Sequence, residues 1–146
     1  MYDSILIPFD GSDEGLRGAE HGVGLAKTCG ATVHALYVID LPGAPRTVYI
    51  RDDEEEMREE YRTYGEEVTG EVCEMAEEAG VDCVAAIRSG SPPEEIVDYA
   101  KDEGIDAIVL GSAYRGKFRA LLGSTAEKVV RTSEVPVITT RQKMNE

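Results

Sequence analysis

The chain has no tryptophan, two phenylalanines and two histidines in 146 residues, and only five of its 15 basic residues are lysine. Its three cysteines, Cys29, Cys73 and Cys83, are odd in number and far apart, with no C-x-x-C and no histidine at ligand spacing. That pattern excludes a zinc site and reads as reduced core or near-surface thiols. No stretch approaches the roughly 18 apolar residues of a membrane span. The start, MYDSILIPFDG, enters an apolar run within four residues and has neither a basic region nor a signal-type core. A cytoplasmic protein is the expectation.

What is abundant is negative charge: 29 acidic residues give a net charge of −14. Such a field repels phosphate backbones and anionic lipid, so nucleic acid and membrane are excluded as partners. The acids crowd into DDEEEMREE (52–60). A hydrated acidic surface poor in lysine suits a high-salt cytoplasm, and equally an ordinary soluble acidic protein; the salt dependence of the melting temperature separates the two. The hydrophobic fraction of 42% and the length fit one globular domain over residues 1–146.

Four times a short β-branched apolar run gives way to a helical pattern, and a fifth run closes the chain. The strands are expected at Ser4–Phe9, Thr32–Val38, Val81–Ile87, Asp106–Gly111 and Pro136–Thr140. The first helix carries Leu16, Ala19, Val23 and Ala26 at helical spacing and stops at Gly30. The longest helix has Met57, Tyr61, Tyr64, Val68, Val72 and Met75 as its buried stripe, with Gly80 as a stop. A third, short helix carries Ile96, Val97 and Ala100, and a fourth Ala126, Val129 and Val130. Strands that alternate with helices and read as continuous apolar runs indicate a doubly wound parallel α/β sheet, covered on both faces. The Pro- and Gly-bearing stretch 41–50 is long enough to form a flap, and PVITT suits a sheet edge that pairs with a copy of itself.

In such folds ligands bind beyond the carboxyl ends of the strands, where the winding reverses. Two loops are candidates. In PFDGSDE (8–14), Ser12 is a good N-cap, and Asp10 either bonds its own turn or meets a ribose hydroxyl, a base amine or a metal. In GSAYRGKFRALLGST (111–125), no carboxylate lies between Gly111 and Ala126, and Ser124 and Glu127 have capping-box spacing. Backbone amides there, with Arg115, Lys117 and Arg119, read either as an anion site in an acidic protein or as an ordinary capped helix with solvated basic residues, and the cationic cluster and strand-end glycines favour the first. Gly111 to Lys117 also spells G-x-x-x-x-G-K, but it follows the fourth strand, and Phe118 stands where a P-loop needs Ser or Thr. The P-loop reading fails on context.

The runs ILIPFDGSDE, YVID, Gly90-Ser91-Pro92 with Ile96, IVLGS, LLGSTAEKVVR and VPVITTR together resemble the universal stress protein family over nearly the whole chain. The resemblance implies a five-stranded parallel sheet of order 3-2-1-4-5, of the adenine-nucleotide α-hydrolase-like, Rossmann-like type, and a homodimer through the edge at 136–140. It implies ATP or another adenine nucleotide as ligand, with magnesium as a candidate companion. Nucleotide-binding members carry G-x2-G-x9-G-(S/T), whose amides wrap the phosphates. Its outer positions match Gly111, followed by Ser112, and Gly123-Ser124. Pro8, Asp10 and the backbone at Val38 match the adenine and ribose positions, and Thr125 would offer an amide to phosphate. The middle departs from the pattern: the loop is one residue short, and Ala113 or Tyr114 stands where the second glycine belongs. Gly116 matches a later, less constrained glycine.

Three functions compete: a stress-response regulator that binds ATP, ADP or AMP without efficient catalysis, an interaction module of the same fold that has lost nucleotide, and an enzyme. The last lacks an S-G-G-x-D-S pyrophosphatase loop, and His21 and His34 fall in a predicted helix and strand rather than in a loop at the strand ends.

Overall fold

A computed structural model describes residues 1–40, 52–115 and 122–144. The flap at 41–50 therefore lies outside the described residues. The elements run β1 (Ser4–Pro8), α1 (Asp13–Cys29), β2 (Thr32–Ile39), α2 (Asp52–Glu78), β3 (Cys83–Ser89), α3 (Pro92–Asp102), β4 (Ala107–Arg115), α4 (Ser124–Thr132) and β5 (Val137–Met144). The strands form one sheet of order β3-β2-β1-β4-β5, with each neighbouring pair parallel. The expected α/β architecture and strand order are both present. The last two strands are longer than expected: their register continues to Arg115↔Met144, through residues whose polar side chains hide a strand from a hydrophobicity reading.

Period-two alternation along the central strands feeds two cores. Ile5, Ile7, Val33, Ala35 and Val109 face Ala19 and Val23 of α1 and Val68 and Val72 of α2. Leu6, Leu36, Ile108 and Leu110 face Ile96 and Val97 of α3 and Ala126 and Val129 of α4. The winding reverses between β1 and β4, because right-handed crossovers in opposite directions put their helices on opposite faces.

Two helical stripes differ from expectation. On α1, Leu16 is exposed, and the buried face is built from Gly15, Gly18, Ala19, Gly22, Val23 and Ala26. The small residues are there because a Cβ on Gly22 would lie 2.6 Å from the Ile7 Cδ1. On α2, Tyr61 and Tyr64 are exposed, and the face continues instead through buried Val68, Thr69, Val72 and Ala76. The Thr69 hydroxyl is satisfied by donating to the Gly65 carbonyl at 2.7 Å, inside its own helix.

The expectation of three reduced thiols is also corrected. Cys73 of α2 and Cys83 of β3 form a disulfide, and Cys29 is the free, exposed cysteine. The turn after α2 brings the pair together. Gly80 takes φ +75°, and the Val81 amide donates back to the Ala76 carbonyl at 2.8 Å, which folds the chain alongside the helix end.

At the amino end of the sheet, the Asp106 carboxylate accepts from the Asp3 amide at 2.8 Å and the Ser4 amide at 3.0 Å. These two bonds hold its pKa below the ordinary value of 3.8. A lowered folded pKa contributes stability that is present above the unfolded value and lost as pH falls through the folded one. Asp106→Ala is expected to lower stability by about 1 kcal/mol at pH 7, a modest effect because the group is screened by solvent. In denaturant melts from pH 7 to pH 2, the deficit should shrink below about pH 4; a deficit independent of pH would contradict the assignment.

Candidate functional site

At the carboxyl ends of β1 and β4 lies a cavity of about 350 Å³, at the point where the winding reverses. Its walls include Pro8, Asp10, Val38, Gly111, Ser112, Gly123, Ser124 and Thr125, eight of the nine residues expected at a site. The ninth, Gly116, lies outside the described residues, as do Lys117 and Arg119. Phe9, Leu36, Tyr37, Pro92, Ile96 and Leu110 add apolar side chains to the lining and were not picked out from the sequence as site residues. Pro92 and Ile96 sit on the first two turns of α3, where their spacing of four puts them on one face.

The β1–α1 loop is a tight polar turn. Asp10 Oδ1 accepts from the Ser12 amide at 2.9 Å and from the Ser12 hydroxyl. The same hydroxyl oxygen accepts from the Gly15 amide at 3.1 Å and caps α1. Of the two roles open to Asp10, the turn is therefore made, through one carboxylate oxygen. Among the described residues Oδ2 has no hydrogen bond. Gly11 takes φ +86°, and a Cβ there would lie 2.2 Å from the Tyr64 hydroxyl, which donates to the Asp10 carbonyl at 3.1 Å. Tyr64 also meets Tyr37 edge to face, with centroids 5.6 Å apart. Burial raises the Tyr37 pKa, and the neighbouring Tyr64, Tyr61 and Asp10 add to the shift.

Across the cavity, Ser112 is buried, and its Oγ accepts from the Gly123 amide at 2.9 Å. That bond spans the loop and fixes where α4 starts. The cap of α4 is Gly123, with no side-chain cap bond, so Ser124 is the first helical residue rather than the expected N-cap. Glu127 likewise does not turn back to the cap; its carboxylate pairs with Arg131 one turn on. With the Gly123 amide taken by Ser112, the amides of Ser124, Thr125 and Ala126 are the helix-start donors that have no intrahelical partner. They carry the positive end of the helix dipole.

Gly111 occupies its position for a packing reason. A Cβ there would lie 1.8 Å from the Glu14 carbonyl oxygen, and one on Gly18 would lie 2.5 Å from the Gly111 amide nitrogen. The first turns of α1 thus rest directly on the β4 backbone. The two histidines are elsewhere: His21 is exposed on α1, and His34 shares a 2.7 Å hydrogen bond with the Tyr99 hydroxyl. Burial lowers the His34 pKa, with Glu103 opposing. Among the described residues, no group of three or more His, Cys, Asp or Glu is placed to hold a metal ion, and no helix is long and apolar enough to cross a membrane.

Gly111→Ala is expected to destabilise the protein by about 3 kcal/mol or more, because the methyl meets backbone rather than a side chain that can turn away. Chemical denaturation checks this; a loss below about 0.5 kcal/mol would mean that α1 is not seated as described.

Comparison with known proteins agrees with this architecture. The model of the universal stress protein family matches residues 1–141. Universal stress protein MJ0531 of Methanocaldococcus jannaschii is 37% identical over 150 residues, spanning 100% of this chain and 86% of that protein. The solved structure of hypothetical protein MJ0577, from the same organism, superposes with a TM-score of 0.84 at 28% identity, covering 99% of both chains. The universal stress protein of Archaeoglobus fulgidus in complex with dAMP shares the fold, with a TM-score of 0.63 and 24% identity over 94% of this chain and 97% of that one. By fold and by sequence, the chain belongs to the universal stress protein family.

Proposed function

We propose that the chain is a regulatory protein that binds an adenine nucleotide (ATP, ADP or AMP) in the cavity at the ends of β1 and β4, without efficient catalysis, and that it pairs with a second copy through the edge of β5. The observation that carries the reading is the division of the cavity into two unlike walls. One wall offers the amides that open α4, which have no hydrogen-bond partner among the described residues, with no carboxylate in sequence between Gly111 and Ala126. The other offers Asp10, Pro8, Val38 and the apolar side chains of β2 and α3. A ligand with an anionic end and a flat, hydroxyl-bearing neutral end fits that polarity.

In this reading phosphate meets the amides of Ser124 and Thr125, Asp10 Oδ2 accepts from a ribose hydroxyl or base amine, and the Pro8–Val38 side holds the base. Asp10 and Glu14 are the carboxylates of the described lining, and they are where a magnesium ion accompanying the phosphates would find oxygen. The dAMP complex of the A. fulgidus relative supports the ligand class. The non-catalytic part of the proposal rests on chemistry: neither histidine lies at the cavity, and the Ser12 and Ser112 hydroxyl oxygens already accept backbone hydrogen bonds. Pairing through β5 uses the last strand in the sheet order, an outer edge whose side chains are partly exposed.

Calorimetric titration of the nucleotide-free chain with ATP, ADP and AMP tests the reading. Saturable binding of at least one is expected; no heat with any of the three would overturn it. Thr125→Pro should weaken binding by roughly 5–30-fold, since it deletes one amide donor where the first turn of a helix tolerates proline. Asp10→Ala should weaken binding about 10-fold or more, as a hydrogen bond to a charged group is lost.

A further inference from the structure

The disulfide between Cys73 and Cys83 plays no part in the nucleotide reading. It joins α2 to an outer strand of the sheet: β3 pairs with β2 on one side and ends the sheet order on the other. The two Cα atoms are 5.3 Å apart, inside the span of roughly 4.4–6.8 Å that a disulfide bridges. Both residues are half-buried and pack against the core beneath α1 and α2, within reach of a small reagent.

The position of α2 bears directly on the cavity loop. A Cβ on Gly65 would lie 2.6 Å from the Tyr37 ring, so the helix rests on that ring with no side chain between them. One residue earlier, Tyr64 donates its hydroxyl to the Asp10 carbonyl and covers Gly11. Val68, Thr69 and Val72 are buried between this contact and Cys73, so the stretch is one packed unit from the disulfide to the loop.

We propose that Cys73 and Cys83 form a redox modification site, a dithiol–disulfide pair that reacts with low-molecular-weight disulfides and whose closure fixes α2 and, through Tyr64, the loop at Asp10–Gly11. One cysteine thiolate attacks a sulfur of the small disulfide and expels a thiolate, leaving a mixed disulfide. The second cysteine attacks the protein sulfur of that intermediate and releases the other thiol. Two protein S–H bonds are replaced by one S–S bond, and two protons and two electrons leave on two small thiols. An excess of the same thiol reverses the exchange.

The test uses the full chain equilibrated with oxidised glutathione or with excess reduced glutathione, and needs no nucleotide. In a Cys29→Ser chain, which removes the exposed thiol that would itself take up glutathione, thiol titration in denaturant should find no free thiol in the oxidised form and two in the reduced form. Closing a loop with a sequence separation of 10 should raise the melting temperature by roughly 5–10 °C. Amide hydrogen exchange across residues 9–15 and the carboxyl half of α2 should be several-fold slower when the pair is closed. Cys73→Ser and Cys83→Ser should show the reduced-form exchange under both conditions. Two free thiols in the Cys29→Ser chain after oxidant treatment, or exchange at residues 9–15 that ignores closure of the disulfide, would overturn the proposal, whatever the nucleotide titrations give.

Discussion

At Gly18 and Gly111, helix α1 and strand β4 meet backbone to backbone, and the geometry of the cavity depends on that contact. Any larger residue at either point would push the first turns of α1 away from the sheet. The cap at Ser12 and the turn at Asp10 would move with them, since both are bonded into the start of that helix. Hydrophobic burial gives the fold its two cores, but it does not set this distance. The missing side chains do.

The opposite wall is set by a single polar bond. Ser112, on β4 one residue after the glycine contact, takes the Gly123 amide and so ties the start of α4 to the strand. The bond also decides which amides remain open to a ligand, because it removes that of Gly123 and leaves the next three. The family pattern puts a glycine where this chain has Ala113 or Tyr114. Under the proposed function, phosphate contact would fall on the helix start, while Gly111 on β4 contributes the close approach to α1. A protein of net charge −14 thereby presents an anion-compatible surface built from backbone, which needs no cationic side chain in the described lining.

The architecture was legible because the apolar runs at Ile5–Ile7, Val33–Leu36 and Ala107–Leu110 have the composition of strands covered on both faces. The strand order, which brings the two candidate loops together, came from the resemblance to the family rather than from the runs themselves, and Asp10, Gly111 and Gly123 line one cavity. What escaped was whatever depends on distance across the fold. A glycine at position 18 or 22 of a helix reads as a weak helix former until the strand beneath it is known. Tyr61 and Tyr64 carry helical spacing but are exposed, and the Tyr64 hydroxyl finds its partner in the polar loop at Asp10. The cysteine pair has no motif; only the turn at Gly80 brings Cys83 back to Cys73. The helix starts one residue before its expected place, where Gly123 is bonded to Ser112 eleven residues earlier, a coupling that a capping pattern does not contain.

The central claim is that one cavity, held by the glycine contact on one side and the Ser112 bond on the other, receives the phosphate end of an adenine nucleotide at the start of α4. Backbone amide NMR of the isotope-labelled chain during titration with ATP tests this most directly. Saturable shifts are predicted to be largest at the amides of Ser124, Thr125 and Ala126, with accompanying shifts at Gly111–Ala113 and Asp10–Ser12. Shifts centred on any other surface, or none that saturate with ATP, ADP or AMP, would contradict the account.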